Sequence, residues 1–196
     1  ALPICTISLL WAAVGYSLVF GEGNAWLGGT GNAFLANLAE LRSGTTLPES
    51  AFALFQMTFA VITPALVIGA FVERIRFGWV VAFSLVWTLL VYIPVARSIW
   101  GGGWLQNLGR IAGLGNGAVD FAGSGPVHMI GGVVGLAGSI VLGPRIGKFN
   151  KDGSANSIPG HNITIGVLGT IILFFGWFGF NPGSSLGFLG GFRNLA

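Results

Sequence analysis

Five segments of this 196-residue chain contain no Asp, Glu, Lys or Arg, apart from Arg97 at the end of the third. They are residues 1–20, 52–72, 77–97, 123–144 and 162–181. Each is long enough for a helix that crosses a bilayer core, which requires about 20 mostly apolar residues. None shows the strict alternation expected of a membrane β-barrel strand. The sequence therefore predicts an all-α, polytopic transmembrane helix bundle with five spans.

The composition excludes a soluble globular domain. Hydrophobic residues make up 53% of the chain and charged residues only 8%, whereas an average soluble domain carries roughly 25% charged residues. The nine basic residues are dispersed along the chain, so they form no patch that would bind nucleic acid. The expected partner of most of this surface is the lipid bilayer.

The positions of the basic residues predict the orientation, because Lys and Arg are retained in short cytoplasmic loops. Two alternate loops, 73–76 and 145–161, hold five of the nine basic residues: Arg74, Arg76, Arg145, Lys148 and Lys151. We expect these loops inside the cell, which makes the first residue cytoplasmic and the last residue external. The plasma (inner) membrane is the expected location.

The fourth span contains His128, and an ionisable side chain inside a membrane needs a partner or a cavity. Gly131, Gly135, Ser139 and Gly143 follow at the spacing that lets helix backbones approach closely. We therefore expect this span in the middle of the bundle with His128 directed inward. Two roles stay open: a neutral imidazole hydrogen-bonded in the core, or an imidazole that accepts or relays a proton in an apolar lumen.

Asp120 and Trp100, at predicted outer ends of spans, each have a structural and a functional interpretation. A carboxylate just before a helix caps its free amides, and in an outer vestibule it would also attract a cation. Tryptophan commonly lies at the membrane surface, and its face is also the best cation-π surface. Trp79, Trp87 and Trp104 are expected to lie at the membrane surface.

Aromatic and hydroxyl residues near the same predicted end complete the set of candidates. Phe55 and Phe59 are four residues apart, so they lie on one helix face. Such pairs usually pack together, whereas in a pore they would form a hydrophobic constriction. Ser184 follows the Asn-Pro-Gly break after the fifth span and is expected at the outer mouth.

No motif in the sequence points to catalysis. The chain lacks a nucleotide-binding loop, a His-Glu-x-x-His pair and a nucleophile elbow. Asp120 and His128 are predicted at different depths with no accompanying nucleophile, so an intramembrane enzyme is disfavoured. Cys5 is the single cysteine, which excludes a cysteine metal cluster within the chain. We expect no enzyme activity, no bound metal and no cofactor.

Several blocks of sequence together resemble the ammonium transporter family (Amt/MEP/Rh). They are FALFQMTFAVITPALVIGAFVERIRF at 52–77, SIWGGGWL at 98–105, DFAGSGPVHMIGG at 120–132, FFGWFGFNPGS at 174–184 and LWAAVGYSLVFGEG at 10–23. The tryptophan before the three glycines is typical of the Amt/MEP branch. The resemblance covers essentially all of the chain and implies transport of ammonium or ammonia.

The resemblance implies a substrate site at the outer end. Trp100 matches the family's cation-π residue, Phe55 the second aromatic wall, and Ser184 the hydroxyl that accepts an ammonium N–H. Asp120 matches the aspartate that holds the vestibule and favours a cation.

The resemblance also implies a path below that site. Phe59 and Phe180 match the two stacked phenylalanines of the gate, and Trp177 matches a pore-lining tryptophan. His128 matches the first of a pair of pore histidines, where deprotonated substrate crosses while the proton is relayed.

Larger features of the family are expectations as well. Members typically have eleven spans in two inverted repeats and form homotrimers, and a PII-type regulatory protein can bind their cytoplasmic face. The five spans of residues 1–196 resemble spans two to six, so we expect a partial transmembrane domain that does not conduct alone. An ammonium sensor that uses the same fold to signal through a cytoplasmic domain is the alternative.

Overall fold

The computed structural model describes residues 2–187 and 190, and five of its helices are long and apolar enough to cross a membrane. The helices are α1 (Leu2–Phe20), α2 (Glu49–Phe71), α3 (Phe77–Trp100), α4 (Leu108–Ala112), α5 (Ser124–Leu142) and α6 (Ile163–Phe180). The short α4 lies in a loop, and the other five are the spans. Over the described residues the fold is helical, with only isolated bridges between extended segments. The prediction of an all-α transmembrane bundle is confirmed.

The second span begins earlier than predicted, at Glu49 rather than at residue 52. A carboxylate can enter this helix because it has partners: the Glu49 side chain accepts hydrogen bonds from the Tyr16 hydroxyl and from Arg42 Nη1, the latter at 3.0 Å. Glu49 thereby ties the start of α2 to α1 and to the loop between them.

The third span ends later than predicted because Arg97 lies inside it. Only 5% of Arg97 is exposed. Its Nη1 donates to the carbonyl oxygens of Val19 (2.9 Å) and Gly21 (2.8 Å), while Nε and Nη2 donate to Asn24 O at 3.1 and 3.0 Å. Burying a charge is costly unless it is hydrogen-bonded. These carbonyls at the end of α1 let α3 continue to Trp100.

Aromatic side chains fill the core between α1, α2 and α3. Trp11 is 1% exposed, makes edge contacts with Tyr16 and Tyr92, and donates its indole hydrogen to Ala53 O at 3.0 Å. Trp87 is also buried, so its predicted place at the membrane surface is wrong. Its ring stacks on Phe83, one turn earlier on the same helix, with centroids 6.4 Å apart, and it belongs to the buried core that α3 shares with α1 and α2.

Helix α5 packs on α2 through its small residues. Gly131 faces Leu66 and Gly135 faces Ala70, so the small-residue spacing does bring two backbones together. The opposite face of α5 is open, with Val133 60% exposed. Within the described residues, α5 therefore packs along α2 and meets α6 only near its start, through His128, rather than lying in the middle of a bundle.

Candidate functional site

A cavity of about 180 Å³, here called the vestibule, lies where α2 and α5 begin and where α1, α3 and α6 end. Six aromatic rings line it: Phe20, Phe52, Phe55, Phe59, Trp100 and Phe121. Its polar lining comes from Arg42, Gln56, Asp120 and Ser184. All four residues predicted for the outer site, Trp100, Phe55, Ser184 and Asp120, therefore line one cavity.

The wall from α2 follows from helical spacing. Phe52, Phe55, Gln56 and Phe59 lie on one face because residues three and four apart are neighbours on a helix. The rings of Phe55 and Phe59 meet edge to face with centroids 4.9 Å apart, and Phe59 meets Trp100 in the same way at 5.6 Å. The aromatic wall is therefore continuous from α2 to α3.

Trp100 is held by a specific hydrogen bond. Its Nε1 donates to the backbone oxygen of Asp120 at 3.0 Å, which joins the end of α3 to the segment before α5. Gly102, two residues later, has φ of +82°, a left-handed conformation that favours glycine. The three-glycine segment thus turns the chain away tightly while the indole stays at the cavity.

The Asp120 carboxylate is held in the turn that begins α5. It accepts hydrogen bonds from Gly123 N at 2.6 Å, Gly125 N at 2.6 Å and Ser124 Oγ at 2.9 Å. This is the structural role considered from the sequence. Asp120 also lines the vestibule, so a negative charge stands at the cavity wall.

Gln56 is a polar residue of the vestibule lining that the sequence analysis missed. Its side chain is 8% exposed, and Oε1 is buried with no hydrogen-bond partner among the residues that the structure describes. Ser184 also has accepting capacity, because its Oγ donates to Phe180 O at 2.7 Å and keeps its lone pairs. The signal for Gln56 was available: it is a polar residue within an apolar span, on the face of Phe52 and Phe59.

Arg42 is the second residue that the sequence analysis missed. Its guanidinium carbon lies 4.2 Å from the Phe52 ring centroid and 5.2 Å from that of Phe20, and Nη1 is 3.0 Å from Glu49 Oε1. An internal cation thus already occupies the Phe20 and Phe52 side of the vestibule. A second cation would find its aromatic surface on the other side, at Phe55 and Trp100.

The residues predicted for the gate and the path also come together. Phe59 and Phe180 have ring centroids 4.7 Å apart, and Phe59 is only 1% exposed. Beyond them, His128 lies 5.6 Å from Phe180 and 6.1 Å from Trp177, measured between ring centroids. The rings form a chain of contacts from the vestibule to the imidazole.

The hydrogen bond of His128 restricts its tautomer. Nδ1 lies 3.1 Å from the backbone oxygen of Gly123, and because a carbonyl only accepts, Nδ1 carries the hydrogen. In a neutral ring Nε2 then has its lone pair free. The half-buried imidazole faces α6, whereas Gly131 on the same helix faces α2. Within residues 2–187 and 190, no three His, Cys, Asp or Glu side chains cluster as metal ligands.

Five membrane-length helices around this site define an integral, multi-pass membrane protein. The model of the Ammonium Transporter Family matches residues 2–196, and the chain belongs to this family. The resemblance inferred from the sequence blocks is thereby confirmed.

Named relatives agree with this assignment. An ammonium transporter of Bacillus subtilis (strain 168) is 46% identical over 185 residues, which cover 93% of this chain and 42% of that protein. Ammonium transporter Amt2 of Archaeoglobus fulgidus is 42% identical over 183 residues, covering 91% of this chain and 38% of that protein. The chain thus spans about two fifths of the length of these relatives.

Solved structures share the fold. The crystal structure of Candida albicans Mep2 matches with a TM-score of 0.78 and 38% identity, over 93% of this chain and 39% of that one. A structure described as a sensor Amt protein matches with a TM-score of 0.84 and 35% identity, over 97% of this chain and 46% of that one.

Proposed function

We propose that this chain carries the substrate site and part of the conduction path for transmembrane transport of ammonium or ammonia. The observation that carries the proposal is the continuous chain of contacts from the vestibule, through the Phe59 and Phe180 rings, to His128. Transport is favoured over sensing because the more similar relatives are named ammonium transporters, at 46% and 42% identity, against 35% for the sensor. Enzymatic turnover is not part of the proposal.

Recruitment uses two properties of the vestibule. The faces of Trp100 and Phe55 attract a cation that has lost part of its water shell, and the negative charge of Asp120 favours that cation. Ammonium also has N–H donors and no acceptor, so it complements the free lone pairs of Ser184 and Gln56.

The phenylalanine gate then favours neutral ammonia over the ammonium cation as the species that crosses. A bare cation in an apolar lumen loses its hydration at a large cost, whereas neutral ammonia loses much less. We assign the gate to Phe59 and Phe180, which separate the vestibule from His128 and Trp177. The proton given up by ammonium passes to the Nε2 lone pair of His128, and ammonia continues past Trp177.

Family membership also supports a proposal for the assembly and its surroundings. We assign a homotrimer in the plasma (inner) membrane, with the vestibule outside and the 73–76 and 145–161 loops in the cytoplasm. A PII-type regulator would bind that cytoplasmic side. The concentration of basic residues in those two loops supports this orientation.

Uptake by the full-length gene product, reconstituted in liposomes, tests the function. Labelled methylammonium is expected to accumulate inside in a saturable manner, and unlabelled ammonium is expected to compete. Vesicles that show no uptake above protein-free liposomes, with the protein verified as folded and inserted, would contradict the proposal.

Replacing Gln56 by leucine is expected to weaken ammonium binding about tenfold or more, because a hydrogen bond to a charged group contributes about 1.5–3 kcal/mol. The ammonium affinity is measured from the concentration of unlabelled ammonium that halves the uptake of labelled methylammonium. Tetramethylammonium, which has no N–H donor, should compete equally well with wild type and with Gln56→Leu.

The matched control for Gln56 is Thr58→Val, which removes a polar group from an exposed position of the same helix. It is expected to leave both competitors unchanged. An equal loss for ammonium and tetramethylammonium in Gln56→Leu would indicate a packing role and reject the acceptor assignment.

A further inference from the structure

The vestibule contains a second cation-binding arrangement, and its cation is a side chain of the protein. Arg42 lies in the loop between α1 and α2, with its guanidinium carbon over two rings, 4.2 Å from the Phe52 centroid and 5.2 Å from that of Phe20. These two rings meet edge to face, with centroids 5.0 Å apart. A joined pair of aromatic side chains thus binds a cation that the chain itself supplies.

Glu49 completes this arrangement with a carboxylate. Its Oε1 lies 3.0 Å from Arg42 Nη1, and the Tyr16 hydroxyl donates to the same oxygen. Only 27% of the Arg42 side chain and 16% of the Glu49 side chain are exposed. A partly buried ion pair is screened by salt much less than an exposed one. The guanidinium is therefore held by two aromatic rings and a carboxylate at once.

The Arg42 cluster belongs to the same cavity as the proposed substrate site. Arg42, Phe20 and Phe52 line the vestibule together with Phe55 and Trp100, in a volume of about 180 Å³. Two cations in so small a space repel each other, and more strongly in a partly desolvated cavity than in bulk water. With Arg42 in place, the rings of Phe55 and Trp100 are left for a single external cation.

We propose that Phe20, Phe52 and Glu49 form a second cation subsite, here called the arginine subsite. Arg42 fills it and thereby restricts the vestibule to one small external cation. Without Arg42 the subsite takes a planar organic cation of the guanidinium class, which stacks on aromatic rings and matches the geometry of a carboxylate. The role of Arg42 in substrate selection rests on the proposed transport function, whereas the subsite is defined by its own contacts.

Calorimetric titration of guanidinium into the purified full-length gene product tests the arginine subsite. Arg42→Ala vacates a space of guanidinium shape, so this variant is expected to bind guanidinium about tenfold more tightly than wild type does. In liposomes, guanidinium should inhibit methylammonium uptake by Arg42→Ala more strongly by a similar factor. Arg42→Lys keeps a cation in the subsite and should bind guanidinium like wild type. If Arg42→Ala does not fold, Arg42→Gln is expected to give a smaller gain in the same direction.

Two controls separate the arginine subsite from a general loss of positive charge. Arg110 is an exposed arginine of α4 that does not line the vestibule, so Arg110→Ala should bind guanidinium like wild type. Adding Phe52→Leu to Arg42→Ala should abolish the gain, because it removes the ring that lies nearer to the guanidinium carbon. An equal gain in Arg110→Ala, or a gain that persists with Phe52→Leu, would overturn the subsite.

Binding and transport are measured separately, so the failure of one proposal is distinguishable from the failure of the other. A wild type that takes up no methylammonium would reject the transport function, while a calorimetric gain in Arg42→Ala would still support the arginine subsite. Normal uptake by wild type with no such gain would reject the subsite alone. A lower melting temperature of Arg42→Ala with unchanged guanidinium affinity would mean that Arg42 only fastens the loop to α2, and this result also rejects the subsite.

Discussion

Trp100→Leu is expected to weaken the apparent affinity for ammonium about 30-fold, because a desolvated cation-π contact contributes about 2 kcal/mol. The indole is a wall of the vestibule, held by its bond to Asp120 O at 3.0 Å. Leucine keeps apolar volume at this position but has no quadrupole to attract the cation. The concentration of ammonium that half-saturates the transport current of the full-length gene product measures the effect.

Two controls distinguish cation binding from packing at Trp100. Trp79→Leu removes an indole that is 69% exposed on the third span and is expected to leave the half-saturating concentration unchanged. Trp100→Phe keeps an aromatic face and should retain part of the affinity. Tetramethylammonium should lose affinity for Trp100→Leu as well, in contrast to Gln56→Leu. Unchanged ammonium affinity in Trp100→Leu would show that the indole does not bind the substrate.

The number of spans and the general place of the site could be predicted from the sequence for physical reasons. A membrane span requires an uninterrupted apolar stretch, and this requirement is visible without any tertiary information. The alternation of span directions then brings the start of α2 to the same end as the end of α3. Phe55 and Trp100 meet there for that reason, although they lie far apart in the chain.

The burial of individual side chains, which depends on contacts with residues distant in the chain, could not be predicted from the sequence. Arg97 marks the end of a span by its charge, and only the carbonyl oxygens of Val19, Gly21 and Asn24 allow it to lie inside one. Trp87 has the residue type of a surface anchor, but it is buried in the core that α3 forms with α1 and α2. In both cases long-range contacts outweigh the local residue preference.

The roles of the polar groups in the vestibule also could not be predicted in full from the sequence. Asp120 was predicted as a cap or as an anion for the substrate, and its three short hydrogen bonds show the capping role directly. Because that carboxylate already accepts three hydrogen bonds, we expect a direct acceptor elsewhere in the vestibule. Gln56 stands out in the sequence as a polar residue within an apolar span, but only the structure shows that its oxygen lacks a hydrogen-bond partner among the described residues.

His128→Asn is expected to lower the charge moved per unit time by about 100-fold, because a positioned proton acceptor typically contributes 10²–10⁴-fold to a proton-transfer step. Asparagine can still donate to Gly123 O, as Nδ1 of the imidazole does at 3.1 Å, but it has no nitrogen that takes up a proton at neutral pH. Ammonium-evoked current on supported membranes carrying the full-length gene product measures the loss.

The relay is distinguished from a structural role by comparing current with affinity. If His128 takes the proton from a substrate already bound above Phe59 and Phe180, the half-saturating ammonium concentration should stay near that of wild type while the maximal current falls. His161→Asn, a histidine exposed in the loop between α5 and α6, should change neither quantity. A wild-type current in His128→Asn would show that the proton leaves by another route. A parallel loss of current and affinity would instead mean that His128 supports the vestibule through its contact with Phe180.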